Sequence, residues 1–162
     1  MEEVRFVPAT ENDVMAIIEL RKQVWITTYR GIYPDAMLDG FDYAWHKEKE
    51  LQRVRSPQYS VYLIANDGGN IGYLTIRETK SVVLQSLYVL REYQHQGIGR
   101  QAFDFVIQYC KEKNARSFLC YCVPENWNAR RFYEKMGGTV IGEDFGNEEH
   151  WMDSLIYQFY VQ

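Results

Sequence analysis

The stretch LYVLREYQHQGIGRQAFDFVI, residues 87–107, constrains the fold of this chain more than any other. An apolar, strand-like run ends in an amide-rich turn, passes through Gly97 and Gly99, and becomes an amphipathic helix. Ile98, Ala102, Phe105, Val106 and Tyr109 recur at helical spacing and form one apolar stripe. Two glycines at a helix start leave room for something to approach the backbone. The first N–H groups of a helix are unpaired and carry a partial positive charge, so a phosphate fits there when side chains stay clear. Arg91, His95 and Arg100 add positive or donor character around the turn. A glycine-containing connection that binds nothing would look much the same.

The rest of the chain reads as strands and helices in alternation. VRFVPAT opens as a strand, and Thr10 with Asp13 offers a capping box for a helix that buries Val14, Ile17, Ile18, Val24 and Trp25 and stops at Gly31 and Pro34. A second helical region, about residues 35–55, is less regular, with Gly40 as a point at which it can break. YSVYLIAND and IGYLTIRE flank the turn DGGN and form a hairpin. SVVLQSLYVL is a third strand, apolar enough to be covered on both faces. RSFLCYCV is another strand, and NWNARRFYEKMGG a helix with Ala129, Phe132, Tyr133 and Met136 on one face, closed by Gly137 and Gly138. TVIGEDF and SLIYQFYV finish the chain as strands. This order predicts one α/β domain over residues 1–162, a mixed sheet of about seven strands flanked by about four helices.

Charge and cysteine content narrow the function. A formal net charge of −4 argues against a general nucleic-acid binder, which needs a positive surface. No apolar run approaches the ~18 residues of a membrane span, and MEEVRFVPAT lacks the pattern of a secretion signal, so the expectation is a cytoplasmic protein without a membrane partner. The three cysteines, Cys110, Cys120 and Cys122, form no disulfide framework and are expected to be reduced. The Cys-Tyr-Cys spacing is too tight for an ordinary zinc pair, and no metal is expected.

Three phosphate-binding readings compete for the glycine turn. A Walker loop needs Lys-Ser/Thr after the last glycine, and here Arg100-Gln101 follows. The Rossmann fingerprint is matched on paper by GIGRQA, with Glu125 after the next strand. Yet only 37 residues follow Glu125, and three strands precede a motif that belongs to a fold's first strand–helix turn. The third reading rests on a family. QHQGIG, residues 94–99, resembles the Arg/Gln-x-x-Gly-x-Gly/Ala signature of the GNAT family of N-acetyltransferases, in which the turn cradles the pyrophosphate of acetyl-coenzyme A. NWNARRFYEKMGG is similar to that family's Asn-x-x-Ala-x-x-Phe-Tyr-x-x-x-Gly segment. The 26 residues between Gly99 and Asn126 hold one helix and one strand, as the family requires, and the elements align over essentially the whole chain. One departure is Gly138, where the family usually has Phe.

The resemblance implies a GNAT-like, mostly antiparallel sheet and assigns roles. Leu87, Tyr88 and Val89 would lend backbone groups to the pantetheine arm, with the Val89 N–H on the thioester carbonyl. Gln94, His95, Gln96, Gly97, Ile98, Gly99 and Arg100 would form the pyrophosphate turn, and Asn126 would meet the pantetheine from the other side. Tyr133 would be the general acid, because a phenol is still protonated at neutral pH and can supply a proton to the departing thiolate. A primary amine must itself lose a proton before it attacks. Many relatives use a central-strand Glu for this, but here Gln85 stands on the strand, leaving Glu78 as the first substitute and a water chain as the second.

The acceptor, an amine of a small molecule or peptide, would meet an aromatic and acidic wall of Trp25, Tyr29, Tyr33, Asp35 and Asp39, joined by Glu143, Asp144, Glu148 and Glu149. His46 and His150 show no partner pattern and are expected to be structural or exposed. A homodimer is expected from the aromatic-rich chain and its apolar last strand. The reading is an acetyl-coenzyme A-dependent N-acetyltransferase; the alternative is a module of the same fold that binds an acyl-coenzyme A as a regulatory ligand.

Overall fold

The computed structural model describes residues 3–146 and 153–162. The elements run β1 (Arg5–Pro8), α1 (Val14–Thr28), α2 (Asp35–Asp39), α3 (Tyr43–Arg55), β2 (Tyr59–Asn66), β3 (Gly69–Glu78), β4 (Val82–Val89), α4 (Ile98–Glu112), β5 (Ser117–Cys122), α5 (Trp127–Lys135), β6 (Thr139–Asp144) and β7 (Ser154–Tyr160). They build one seven-stranded sheet in the order β1-β2-β3-β4-β5-β7-β6. Only β4 and β5 run parallel; every other neighbouring pair is antiparallel. The fold is therefore the mixed, mostly antiparallel sheet that the sequence implies, with five helices instead of about four because Gly40 splits the second helical region into α2 and α3.

Local chemistry accounts for the boundaries. Asp42 caps α3, its Oδ1 accepting from the Trp45 N–H at 3.0 Å, and Gly40 closes α2. The turn between β2 and β3 is anchored by Asn66, whose Oδ1 accepts from the Gly68 N–H at 2.9 Å. In α4 the buried stripe is Ile98, Ala102, Phe103, Val106 and Cys110. Phe105 sits at its edge, stacked on Phe6 at 4.6 Å, so Phe103 takes the central position expected for Phe105.

The alternation of β residues sends side chains to two helix layers. On one face Leu74, Ile76, Leu84, Phe118, Cys120, Tyr157 and Phe159 meet Ala102, Phe103, Val106 and Cys110 of α4 and Tyr133 of α5. On the other, Val61, Leu63 and Tyr73 meet Ile17 and Leu20 of α1. Each large apolar side chain fully buried here contributes about 1.5–3 kcal/mol. Gly138 belongs to the first layer: an added Cβ would lie 2.6 Å from the Phe159 ring, so Phe159 fills the space at which a side chain would otherwise pack.

The sheet is irregular at its centre. Thr75 of β3 pairs with Ser86, but Ile76 pairs with Leu84, so Gln85 is an extra residue in β4. Such a bulge bends its strand. On the other side, β4 pairs with β5 only through Val82, Val83 and Leu84, opposite Phe118, Leu119 and Cys120. The strands pair up to the bulge and no further. The sequence predicts a β4 covered along its whole length; instead Val82–Leu84 is buried and the rest is half-buried.

Candidate active site

The predicted residues of β4, of the glycine turn and of α5 lie about the opening between β4 and β5. Parallel neighbours each followed by a helix place both helix N-termini at the same end of the sheet, and here those are α4, after β4, and α5, after β5. The Leu90 N–H donates to the Ile71 carbonyl at 2.9 Å, so the alternation along β4 aims the N–H and C=O of Val89 away from β3, into the opening. The Gln94 side chain reaches back and donates from Nε2 to the Val89 carbonyl at 2.9 Å. Gln94 thus ties the glycine turn to the end of the strand.

The turn itself needs left-handed backbone. His95 has φ 61° and Gly97, the N-cap of α4, has φ 82°. Gln96 bonds within the turn, its Nε2 donating to the Glu92 carbonyl at 3.0 Å, while His95 and Arg100 are exposed. The two glycines serve different ends. Gly97 supplies the turn conformation, whereas a Cβ on Gly99 would stand 2.8 Å from the Phe132 ring, so Gly99 permits close packing of α4 on α5. Asn126 caps α5, its Oδ1 accepting from the Ala129 N–H at 3.2 Å.

Tyr133 is buried in α5 among Phe103, Phe132, Tyr157 and Phe159. Burial, followed by the nearby Cys120, Cys122 and Tyr88, holds its pKa well above that of an ordinary phenol. Its proton stays on at neutral pH. Burial likewise pushes the Cys120 and Cys122 thiols up to about 12, so both are neutral. All three cysteines are free and buried, and no group of three or more metal-ligating side chains occurs among the described residues.

Of the predicted acceptor wall, the aromatic half assembles. Tyr29 and Tyr33 stack at 4.1 Å, and Trp25 meets both edge-on at 6.1 and 5.6 Å. The acidic half is different. Arg30 lies between Asp35 (3.1 Å) and Asp39 (2.9 Å), so the Asp35 carboxylate that the sequence offers to a substrate is already paired. Glu143 and Asp144 end β6, both exposed; Glu148, Glu149 and His150 lie outside the described residues.

Glu78 stands apart from the site. It is the last residue of β3 and pairs with Val82, the first of β4, because antiparallel strands bring one strand's end beside the other's start. Seven residues along β4 at ~3.3 Å each separate that pairing from Val89, about 20 Å. Its carboxylate accepts from the Tyr109 hydroxyl at 2.7 Å. The expectation that Glu78 serves as the base is therefore corrected: register carries it to the far end of the sheet.

A buried polar group that sequence reasoning did not find lies behind the aromatic wall. Arg21 of α1 donates from Nε to the Tyr73 hydroxyl at 2.8 Å, from Nη2 to Glu50, and lies 3.2 Å through Nη1 from His46 Nδ1. Arg21, His46 and Glu50 are all buried. His46 also stacks on Phe41 at 4.2 Å, which gives it the structural role expected of it. Burial, then Arg21 and Arg53, push its pKa down to about 4. An unfolded histidine, with a pKa near 6.5, takes up a proton that the folded one refuses. Stability from this residue is complete above about pH 6.5 and is lost as the pH falls toward 4, by about 1–2 kcal/mol between pH 7 and 5. Chemical denaturation at the two pH values, compared with His46→Gln, checks this: the variant should lose that part of the slope.

Comparison with known proteins places this geometry in context. A model of the Acetyltransferase (GNAT) family matches residues 16–138. An uncharacterised N-acetyltransferase of Lactobacillus delbrueckii subsp. lactis is 22% identical over 153 residues, covering 88% of each chain. A spermidine N(1)-acetyltransferase of Thermoplasma acidophilum is 27% identical over 154 residues, covering 86% of this chain and 92% of its own. In structure, the PaiA N-acetyltransferase of Thermoplasma acidophilum, solved with coenzyme A, superposes with a TM-score of 0.82 at 22% identity over 98% of this chain and 99% of the other, a likeness of fold.

Proposed function

The chain belongs to the acetyltransferase (GNAT) family, and on that premise we propose that it transfers the acetyl group of acetyl-coenzyme A to an amine of a small molecule or peptide, by direct attack with both substrates bound. The observation that carries this reading is the opening between β4 and β5, flanked by the N-termini of α4 and α5 and by the unpaired edge of β4. The residues present fit coenzyme A. The turn from Gln94 to Arg100, with its left-handed His95 and Gly97, presents the first N–H groups of α4 to a pyrophosphate. Leu87, Tyr88 and Val89 offer backbone groups to the pantetheine. Asn126 uses its oxygen to cap α5, which leaves its amide N–H groups for the same ligand.

The chemistry follows from these positions. As the amine nitrogen bonds to the acetyl carbon, negative charge builds on the thioester oxygen, and the Val89 N–H is aimed to stabilise it. When the carbon–sulfur bond breaks, Tyr133 gives its proton to the sulfur, a role for which its raised pKa keeps it ready. With Glu78 remote, the proton leaving the amine passes to water. Trp25, Tyr29 and Tyr33 back the acceptor side.

We take residues 1–162 as one acetyltransferase unit working in the cytoplasm, a reading supported by the free cysteines and by the fact that no helix among the described residues is long and apolar enough to cross a membrane. The exposed Val140, Ile141, Phe145 and Tyr160 support a homodimer through the β6–β7 edge, which sedimentation equilibrium would test.

The deciding experiment is release of coenzyme A thiol from acetyl-coenzyme A with polyamines, amino acids, peptides and aminoglycosides as acceptors. Polyamines come first because one relative is a spermidine acetyltransferase. Release that depends on one amine class is expected. Binding of acetyl-coenzyme A without release above hydrolysis for every amine would overturn the transferase reading in favour of a regulatory module.

A further inference from the structure

Arg21 and Trp25 of helix α1 and Tyr29, the residue that ends it, follow one another at intervals of four, and each engages a tyrosine of the sheet. Arg21 donates to the Tyr73 hydroxyl at 2.8 Å. Trp25 donates from its indole N–H to the Tyr88 hydroxyl at 3.3 Å, and the Tyr29 hydroxyl lies against the same group. Tyr73 and Tyr88 are direct cross-strand partners on β3 and β4, with ring centroids 5.3 Å apart. The three contacts form a polar ladder from α1 and its end onto Tyr73 of β3 and onto Tyr88, in the segment of β4 that has lost β5.

That segment needs an anchor. Beyond the bulge at Gln85, β4 is paired on one side only, and the residues concerned are those whose backbone faces the opening. From the β3 side it is held very closely: a Cβ on Gly72 would stand 2.2 Å from the Tyr88 carbonyl oxygen, so only glycine permits the approach. From the helix side it is held through the Tyr88 hydroxyl. Trp25 is in turn fixed by edge-on contacts with Tyr29, Tyr33, Phe41 and His46, at 5.0 to 6.1 Å. With four aromatic neighbours around its half-buried ring and its N–H engaged, Trp25 ties the acceptor wall to β4.

We propose that Trp25 is a positioning residue for acetyl transfer: by holding the Tyr88 hydroxyl it fixes the unpaired half of β4, and so the distance between the Val89 N–H and the thioester oxygen, with Arg21 steadying the neighbouring Tyr73. The inference rests on the transferase reading for its chemistry. It predicts a larger effect on turnover than on cofactor binding, because the misplaced N–H matters most where charge develops, while the glycine turn and Asn126, which Trp25 does not touch, still hold the cofactor.

The test compares Trp25→Phe, Tyr88→Phe and the double variant in the full chain. Each single variant should lower kcat about five- to tenfold, the worth of one hydrogen bond at 1.36 kcal/mol per factor of ten, with the Kd for acetyl-coenzyme A held within about twofold. Because both changes remove one shared bond, the double variant should be no slower than the slower single. Amide hydrogen exchange gives a second readout that needs no turnover: residues 85–90 should exchange faster in either variant, while residues 82–84, still paired with β5, should not change. Single variants within twofold of wild type, losses that multiply in the double, or unchanged exchange at 85–90 would each overturn the ladder. A wild type inert toward every amine would instead defeat the transferase reading, and exchange would still decide the ladder.

Discussion

Tyr133→Phe is expected to lower kcat by about 10²–10³ while leaving acetyl-coenzyme A binding within about threefold and stability within about 1 kcal/mol of wild type. The phenyl ring keeps every packing contact that Tyr133 makes with Phe103, Tyr157 and Phe159, so the change isolates the hydroxyl. That hydroxyl sits near Cys120, Cys122 and Tyr88. The pH profile sharpens the prediction. Burial raises the Tyr133 pKa, so the acid form persists well above pH 10, and wild-type kcat should show no alkaline fall from this residue up to about pH 9.5. Single-turnover rates and calorimetric titration with acetyl-coenzyme A check both halves. An unchanged kcat would remove Tyr133 from the chemistry; a loss of binding equal to the loss of rate would make it a cofactor contact.

What the sequence disclosed, and what it hid, divides along a physical line. Local signals held up well: the periodicity of α4, the Asp-Gly turn between β2 and β3 and the break at Gly40 each depend on residues within a few positions of one another. Features set by register or by distant partners were not legible. Glu78 stands seven positions before Gln85 in the chain, which invites placing them together, but the antiparallel pairing of β3 and β4 carries it away from the opening. Asp35 looked free because Arg30 returns to it only after the chain turns at Gly31. Gly99 read as clearance for a phosphate, yet its nearest neighbour is Phe132, on a helix one strand later. Arg21 gave the least warning: a basic residue in an otherwise amphipathic helix is ordinarily solvated, and only the fold brings Tyr73, His46 and Glu50 around it.

Glu50→Ala is expected to destabilise the fold by about 3–5 kcal/mol, a fall in melting temperature of roughly 10 °C for a chain of this size. Glu50 has no solvent exposure and receives donors from two arginines, Arg21 and, at 3.2 Å, Arg53, while its other oxygen, Oε2, has no partner. Removing it leaves the Arg21 guanidinium charged, 4% exposed and without a counter-ion. Ion pairs this deep contribute little net stability when whole, because desolvation offsets their attraction, and are strongly destabilising when halved. The double variant Glu50→Leu with Arg21→Met should therefore recover most of the loss. It should not recover kcat, since Arg21→Met also releases Tyr73 from α1 and loosens the strand beside Tyr88. Thermal melting and turnover measured on the same three proteins separate the two effects. A double variant as unstable as Glu50→Ala would mean that Arg21 stabilises the fold through His46 and Tyr73 independently of its carboxylate. Full recovery of both stability and rate would mean that the buried pair serves neither, and that the apolar contacts of α1 alone hold β3 and β4 in place.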